Sequence, residues 1–104
     1  MSEKNIETYR QKLAQYIKLS SVSAKYQNIP ETADFLKQTF EELGGKVQVF
    51  TDEKFPLVFA DFPVPDEKPG APTILFYNHY DVQPAEPYDL WHTDPWTLDR
   101  KSVV

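Results

Sequence analysis

The stretch that decides the predicted fold is TILFYNHYDVQP, residues 73–84. It begins as an almost continuous apolar run, which is the pattern of a strand buried on both faces in a parallel or mixed sheet covered by helices. His79 and Asp81 follow where the apolar run stops, and Pro84 ends any regular strand. Because side chains alternate along an extended chain, His79 and Asp81 should project to the same side while Tyr80 points the other way.

This His-x-Asp pair suits a metal site. A carboxylate two residues away can accept the N–H of one imidazole nitrogen, which fixes the tautomer and leaves the other nitrogen to bind a metal. The end of a central strand is also where open α/β sheets place their ligands. The same spacing is common by chance, so a purely structural His–Asp hydrogen bond at a strand end stays open as the alternative.

The composition excludes several classes of function. Eleven Lys and Arg residues against 16 Asp and Glu residues give a net charge of -5, which disfavours nucleic acid or an anionic membrane as a partner. The chain has no cysteine, which rules out disulfides, thiol catalysis and cysteine-type zinc sites, so a metal must be held by His, Asp or Glu. No run approaches a membrane span and no signal peptide opens the chain, so the expected location is the cytoplasm.

Hydrophobic periodicity predicts two helices at the start of the chain. The first runs from about Glu3 to Leu19, and the second starts near Pro30 and is stopped by Gly44-Gly45. The apolar stripe of the first helix is expected to face the core and consists of Ile6, Tyr9, Leu13, Tyr16 and Ile17.

Three strands are predicted after the helices: residues 46–50, residues 57–62 and the central stretch that opens at Thr73. The Pro-rich residues 63–72 are predicted to form a long surface loop. The second and third strands are therefore expected to pair as an antiparallel hairpin with a long tip.

Aromatic residues and prolines crowd the segment after Pro84, which predicts a packed loop. Trp91 and Trp96 are expected to anchor this loop on the core. His92 is interpreted as a surface residue, and Asp89 and Asp94 as cap or turn residues.

The run FYNHYDVQPA, residues 76–85, is followed by Asp89-Leu90-Trp91 and Asp94-Pro95-Trp96. Together these segments resemble the first metal-binding segment of the M20 family of zinc metallopeptidases, and most of all its dipeptidase and carnosinase-like branch. The likeness extends upstream to the opening helices. It implies an α/β fold with a partial zinc-peptidase-like mixed sheet flanked by two N-terminal helices. Residues 1–104 would form the N-terminal part of the catalytic domain, which is incomplete.

The resemblance implies a hydrolase that cleaves dipeptides or short peptides with two zinc ions, which polarise the scissile carbonyl and activate a bridging water. His79 corresponds to a zinc ligand, and Asp81 to the catalytic-site acid that orients this histidine. The family's other ligands and its general-base Glu come from later segments. The resemblance therefore implies that the fragment supplies one His ligand and, alone, binds zinc weakly and hydrolyses nothing.

The resemblance stops in the tail, residues 97–104, where the family's Asp-Gly turn and its Gly-Arg-Gly segment are not found. We expect either an N-terminal fragment or a chain whose reading frame was lost near Arg100. The expected partners are a peptide substrate and a second copy, in a homodimer formed through the missing part. Two alternatives stay open: an M20 amide hydrolase, such as an N-acyl amino acid deacylase or a desuccinylase, and a non-catalytic remnant or interaction module.

Overall fold

The computed structural model describes residues 2–65 and 70–100. Within them lie the helices α1 (Glu3–Lys18) and α2 (Ile29–Glu42), followed by the strands β1 (Lys46–Phe50) and β2 (Leu57–Asp61). Short 3₁₀ helices occupy Ser23–Lys25 and Tyr88–Leu90. The predicted α/β class is confirmed at this coarse level. The sheet of the described residues is two-stranded and antiparallel, however, and the expected mixed sheet is not formed among them.

Helix α1 lies on the surface of the molecule. The Ser2 side chain caps it by accepting a hydrogen bond from the backbone N–H of Asn5 at 3.2 Å. None of the residues of α1 is buried, and Tyr9 is 61% exposed, so its predicted core position is wrong. The helix is held to α2 by the stacked rings of Tyr16 and Phe35, whose centroids lie 6.0 Å apart. Partial covering of its apolar stripe is therefore enough to hold this helix against α2.

Helix α2 carries three of the six buried residues of the described chain. Pro30 lies in its first turn, where a proline loses no intrahelical hydrogen bond. The helix ends as predicted at the glycine pair, with Gly44 at a φ of 93°, a left-handed conformation that glycine adopts without steric cost. Ile29, Thr32 and Ala33, all on its first two turns, are buried. The core of the described chain therefore lies at the N-terminal end of α2.

The two strands form a hairpin in which Lys46 is opposite Asp61 and Phe50 is opposite Leu57. Exposed and half-buried residues alternate along both strands, so one face of the hairpin packs on the protein and the other faces solvent. The ring of Phe62 meets the ring of Phe40 of α2 edge-on at 6.1 Å. Strand β2 thus pairs with β1, and the predicted hairpin between the second and third strands is wrong.

Residues 73–79 differ most from the sequence prediction. They form no strand, and the side chains of Ile74, Leu75, Phe76 and Tyr77 are 72 to 83% exposed. A strand exists only when a neighbour accepts and donates its backbone hydrogen bonds, and a strand that is apolar on both faces also needs a covering layer on each. The part of the chain that the structure describes supplies neither. The prediction of a buried central strand is therefore wrong for this chain by itself.

The predicted loop of residues 63–72 is only partly observed. Residues 63–65 and 70–72 form neither helix nor strand, and residues 66–69 lie outside the described residues. Residues 101–104, on which the interpretation of the tail partly depends, also lie outside them.

The peptide bond between Glu86 and Pro87 is cis. Among residues 2–65 and 70–100, no helix has both the length and the apolar character that crossing a membrane requires.

Candidate functional site

His79 and Asp81 lie side by side. The imidazole Nδ1 of His79 is 3.1 Å from the carboxylate Oδ1 of Asp81 and 2.9 Å from its backbone carbonyl oxygen. Both contacts involve acceptors, so Nδ1 carries the proton and donates, and Nε2 is left as the nitrogen with a lone pair. The His79 side chain is 77% exposed. The ring is thus oriented by Asp81 and presents Nε2 to the outside.

The carboxyl of Asp81 is held in its ionised form. Its pKa lies below the ordinary value, chiefly because of a hydrogen bond from the Ser23 side chain. The backbone N–H of Asp81 and the imidazole of His79 also lower this pKa, while burial acts in the opposite direction. An ionised carboxylate only accepts hydrogen bonds, so it keeps the proton of the imidazole on Nδ1.

Tyr80 points away from this pair, toward the hairpin. Its hydroxyl donates a hydrogen bond of 2.5 Å to the backbone carbonyl of Pro56, just before β2. Burial raises the pKa of Tyr80, and the nearby Tyr26 and Asp81 add to this effect. Neutral Tyr80 therefore ties the His79 segment to the start of β2, a contact that the sequence pattern did not reveal.

A cleft of about 600 Å³ separates this segment from the hairpin. Its walls are formed by Phe55–Phe59 on one side and Leu75–Asp81 on the other, and Ser23 and Ile29 also contribute. Pockets of a few hundred Å³ with apolar walls and few polar groups are typical of small-ligand sites. His79 and Asp81 are among the few polar groups of this cleft.

The described residues supply only part of a metal site. No group of three or more His, Asp or Glu side chains that could hold a metal ion is found among residues 2–65 and 70–100. His92 and Asp94 consequently do not join His79 and Asp81. His79 fits the chemistry of a single metal ligand, because its Nδ1 is engaged by a carboxylate and its side chain is largely exposed.

The loop after Pro84 is organised by its own side chains. Trp91 Nε1 donates to the carbonyl of Ala85 at 2.7 Å, and Trp96 Nε1 donates to the hydroxyl of Tyr88 at 3.0 Å. Trp91 is 51% exposed, so its predicted anchoring on the core is wrong; its N–H instead closes the loop on itself.

Two polar residues of this loop behave as their sequence context indicates. His92 is exposed, as predicted. Asp94 is a turn residue, as predicted, since its carboxylate accepts hydrogen bonds from the Trp96 N–H at 3.0 Å and the Thr97 hydroxyl at 2.8 Å.

Comparison with known proteins agrees with the resemblance to dipeptidases that residues 76–85 indicate. The chain is 34% identical to the Cys-Gly metallodipeptidase dug1 of Schizosaccharomyces pombe over 92% of its own length. It is 38% identical over 68% of its length to the cysteinylglycine-S-conjugate dipeptidase of Corynebacterium striatum. A shorter match, 49% identity over 41% of the chain, links it to the Beta-Ala-His dipeptidase of Mus musculus. The chain is a relative of the metallodipeptidases. The resemblance to dipeptidases drawn from the sequence is thereby confirmed.

The matched region is a small part of these relatives. It spans 22% of the Schizosaccharomyces pombe protein, 15% of the Corynebacterium striatum protein and 8% of the mouse protein. No protein-family model matches the chain.

Proposed function

We propose that this chain is part of an M20-type zinc dipeptidase, in which His79 binds a zinc ion and Asp81 orients His79. The observation that carries the proposal is the 3.1 Å contact between His79 Nδ1 and Asp81 Oδ1 on a ring that is 77% exposed. A free Nε2 with its partner nitrogen bound to a carboxylate is the arrangement of metal-binding histidines. The dipeptidase names of the relatives support a peptide substrate over another amide.

The residues of this chain account for only part of the proposed hydrolysis. Asp81 fixes the tautomer of His79, and the cleft of about 600 Å³ beside them offers space for a short peptide. Zinc, when bound, supplies a Lewis acid and an activated water. A catalytic zinc takes three protein ligands and an open position, so one histidine does not complete the site. We therefore propose that hydrolysis requires further ligands from outside these residues, and that the 104-residue chain alone is inactive.

A chimeric enzyme tests this function. The segment of the Schizosaccharomyces pombe protein that aligns with this chain, 22% of its length, is replaced by the chain, and hydrolysis of the dipeptide Cys-Gly is measured with zinc. We expect activity that a chelator abolishes. Asp81→Asn should lower it about 10–100-fold, the usual effect of altering the partner of a metal-binding histidine. His79→Ala should lower it further.

His92→Ala is the matched control, because His92 is the other histidine of the chain and is exposed. It should leave the activity of the chimera unchanged. Zinc content and gel filtration establish that each variant is folded and loaded. A folded, zinc-loaded chimera that hydrolyses nothing, or one that works equally well with His79→Ala, would show that the proposal is wrong.

A further inference from the structure

The segment Ser20–Ser23, here called the serine loop, is polar and lies between two helices, yet its first three residues are buried. Ser20 is 9%, Ser21 5% and Val22 2% exposed. Connecting segments usually run over the surface, since their backbone groups need hydrogen-bond partners. The buried backbone groups of the serine loop therefore need hydrogen-bond partners within the protein.

Its main partner is the segment that carries His79 and Asp81. The Ser21 hydroxyl donates a 2.6 Å hydrogen bond to the backbone carbonyl of Tyr80, the residue between them. The Val82 N–H donates to the Ser21 carbonyl at 2.8 Å, and the Ser23 N–H donates to the Val82 carbonyl at 3.4 Å. Val22 and Val82 form a parallel bridge. The backbone on both sides of Asp81 is thus fixed by the serine loop.

The serine loop is itself held by the side chains of Gln27 and Asn28. The Gln27 side chain donates to the Ser20 carbonyl at 3.1 Å and to its hydroxyl at 2.9 Å, and the Asn28 side chain donates to the Leu19 carbonyl at 2.6 Å. Ser20, Tyr26 and Asn28 all have left-handed backbone conformations, with φ values of 46°, 50° and 54°. Such conformations are uncommon outside glycine and persist only where the surroundings fix them. All three lie within residues 20–28, in and just after the serine loop.

We propose that Ser21 is a positioning residue for His79, which it holds in the Nδ1–H tautomer by fixing the backbone of Tyr80 and Val82 on both sides of Asp81. This inference deepens the proposed function and rests on it for its catalytic meaning. A hydroxyl that only stabilised the fold would have no effect on which imidazole nitrogen carries the proton. A positioning hydroxyl affects the tautomer of His79 while the rest of the fold is unchanged.

The test is the ratio of the two His79 tautomers, measured from the ¹⁵N shifts of the imidazole at about pH 8.5, well above the ordinary histidine pKa of about 6.5. In the 104-residue chain the Nδ1–H form should dominate. Ser21→Ala should lower the ratio of the Nδ1–H to the Nε2–H form about two- to tenfold, the range that follows from losing one net hydrogen bond. Ser21→Thr keeps a hydroxyl and should restore the ratio.

Two controls separate positioning from general destabilisation. Thr39→Val removes a comparable hydroxyl, which donates to the Phe35 carbonyl at 2.8 Å within α2, and should leave the tautomers of His79 unchanged. His92, as the second histidine, provides an internal reference in every sample. A folded Ser21→Ala chain with the original ratio would overturn the proposal. If Ser21→Ala does not fold, Ser21→Cys decides, because it keeps the size of the side chain and donates only a weak hydrogen bond. An unchanged ratio in that variant overturns the proposal equally.

Neither metal nor substrate enters this measurement, so its result is independent of the chimera experiment. An inactive chimera together with a shifted tautomer in Ser21→Ala would leave the positioning role intact and refute the dipeptidase proposal. An active, zinc-dependent chimera with an unaffected tautomer would do the reverse.

Discussion

Truncation of Ile29 should destabilise the protein more than any truncation in α1, because the buried core is centred on this residue. Ile29 is 0% exposed, and the other buried apolar residues within 2–65 and 70–100 are Val22 and Ala33, at 2% each. Full burial of an isoleucine side chain contributes about 1.5–3 kcal/mol. Replacement of a buried Ile by Ala costs about 2–5 kcal/mol once the cavity is included. Few buried side chains surround this one, so the site can partly collapse, and we expect a loss of about 2–3 kcal/mol.

Urea unfolding followed by far-UV circular dichroism measures this loss. With a slope of about 1–3 kcal/mol per molar urea, Ile29→Ala should lower the midpoint by about 0.7–3 M. Ile29→Val removes a single methylene group and should cost only about 0.5–1.5 kcal/mol. Leu43→Ala is the matched control, since Leu43 caps the same helix and is 69% exposed. Its cost should stay within about 0.5 kcal/mol.

An equal shift of the urea midpoint in the two alanine variants would refute this expectation. If Ile29→Ala and Leu43→Ala shifted the midpoint alike, the cluster at the N-terminal end of α2 would not be the stabilising core. The arrangement of the serine loop on that cluster would then lose its energetic support. Because Ile29 also contributes to the wall of the cleft, the same variant should perturb the NMR signals of residues 79–82.

Three further outcomes are expected. Tyr80→Phe removes the hydroxyl that donates to Pro56 and should cost about 0.5–1.5 kcal/mol in urea unfolding, whereas Tyr9→Phe, at a residue 61% exposed, should cost almost nothing. The Asp94 carboxyl has a pKa below its ordinary value of 3.8 because it accepts hydrogen bonds from the Trp96 N–H and the Thr97 hydroxyl. The contribution of Asp94 to stability should be complete above the unfolded pKa of about 3.9 and should be lost as the pH falls through the lower folded pKa. A ¹³C carboxyl titration of the folded and the urea-unfolded chain measures both pKa values. A folded pKa equal to or higher than the unfolded one would contradict this expectation. The exposed apolar residues 74–77 should make the chain self-associate in sedimentation equilibrium. Leu75→Lys, at a residue that is 80% exposed, should weaken this association. Gln48→Lys makes the same charge change at an exposed polar residue and should leave it unaltered.

Sequence patterns alone were sufficient for the local elements. The stripe and the glycine pair gave both helices to within a residue or two, because periodicity, the early Pro30 and the positive φ of Gly44 act over a few neighbouring residues. β1 was likewise predictable from its alternating residues. The placement of His79 and Asp81 on one side of the chain is equally local, since it follows from the alternation of side chains.

The tertiary structure decided everything that depends on distant partners. Strand formation at residues 73–79 needs a neighbour and a cover, and no local pattern says whether the chain provides them, which is why β2 pairs with β1 and the apolar run stays exposed. No local feature of the serine loop's sequence indicates its partner. Only the fold brings Ser21 to Tyr80, 59 residues away. A hydrogen bond across that separation is set by packing of the whole chain, and local propensity carries no information about it.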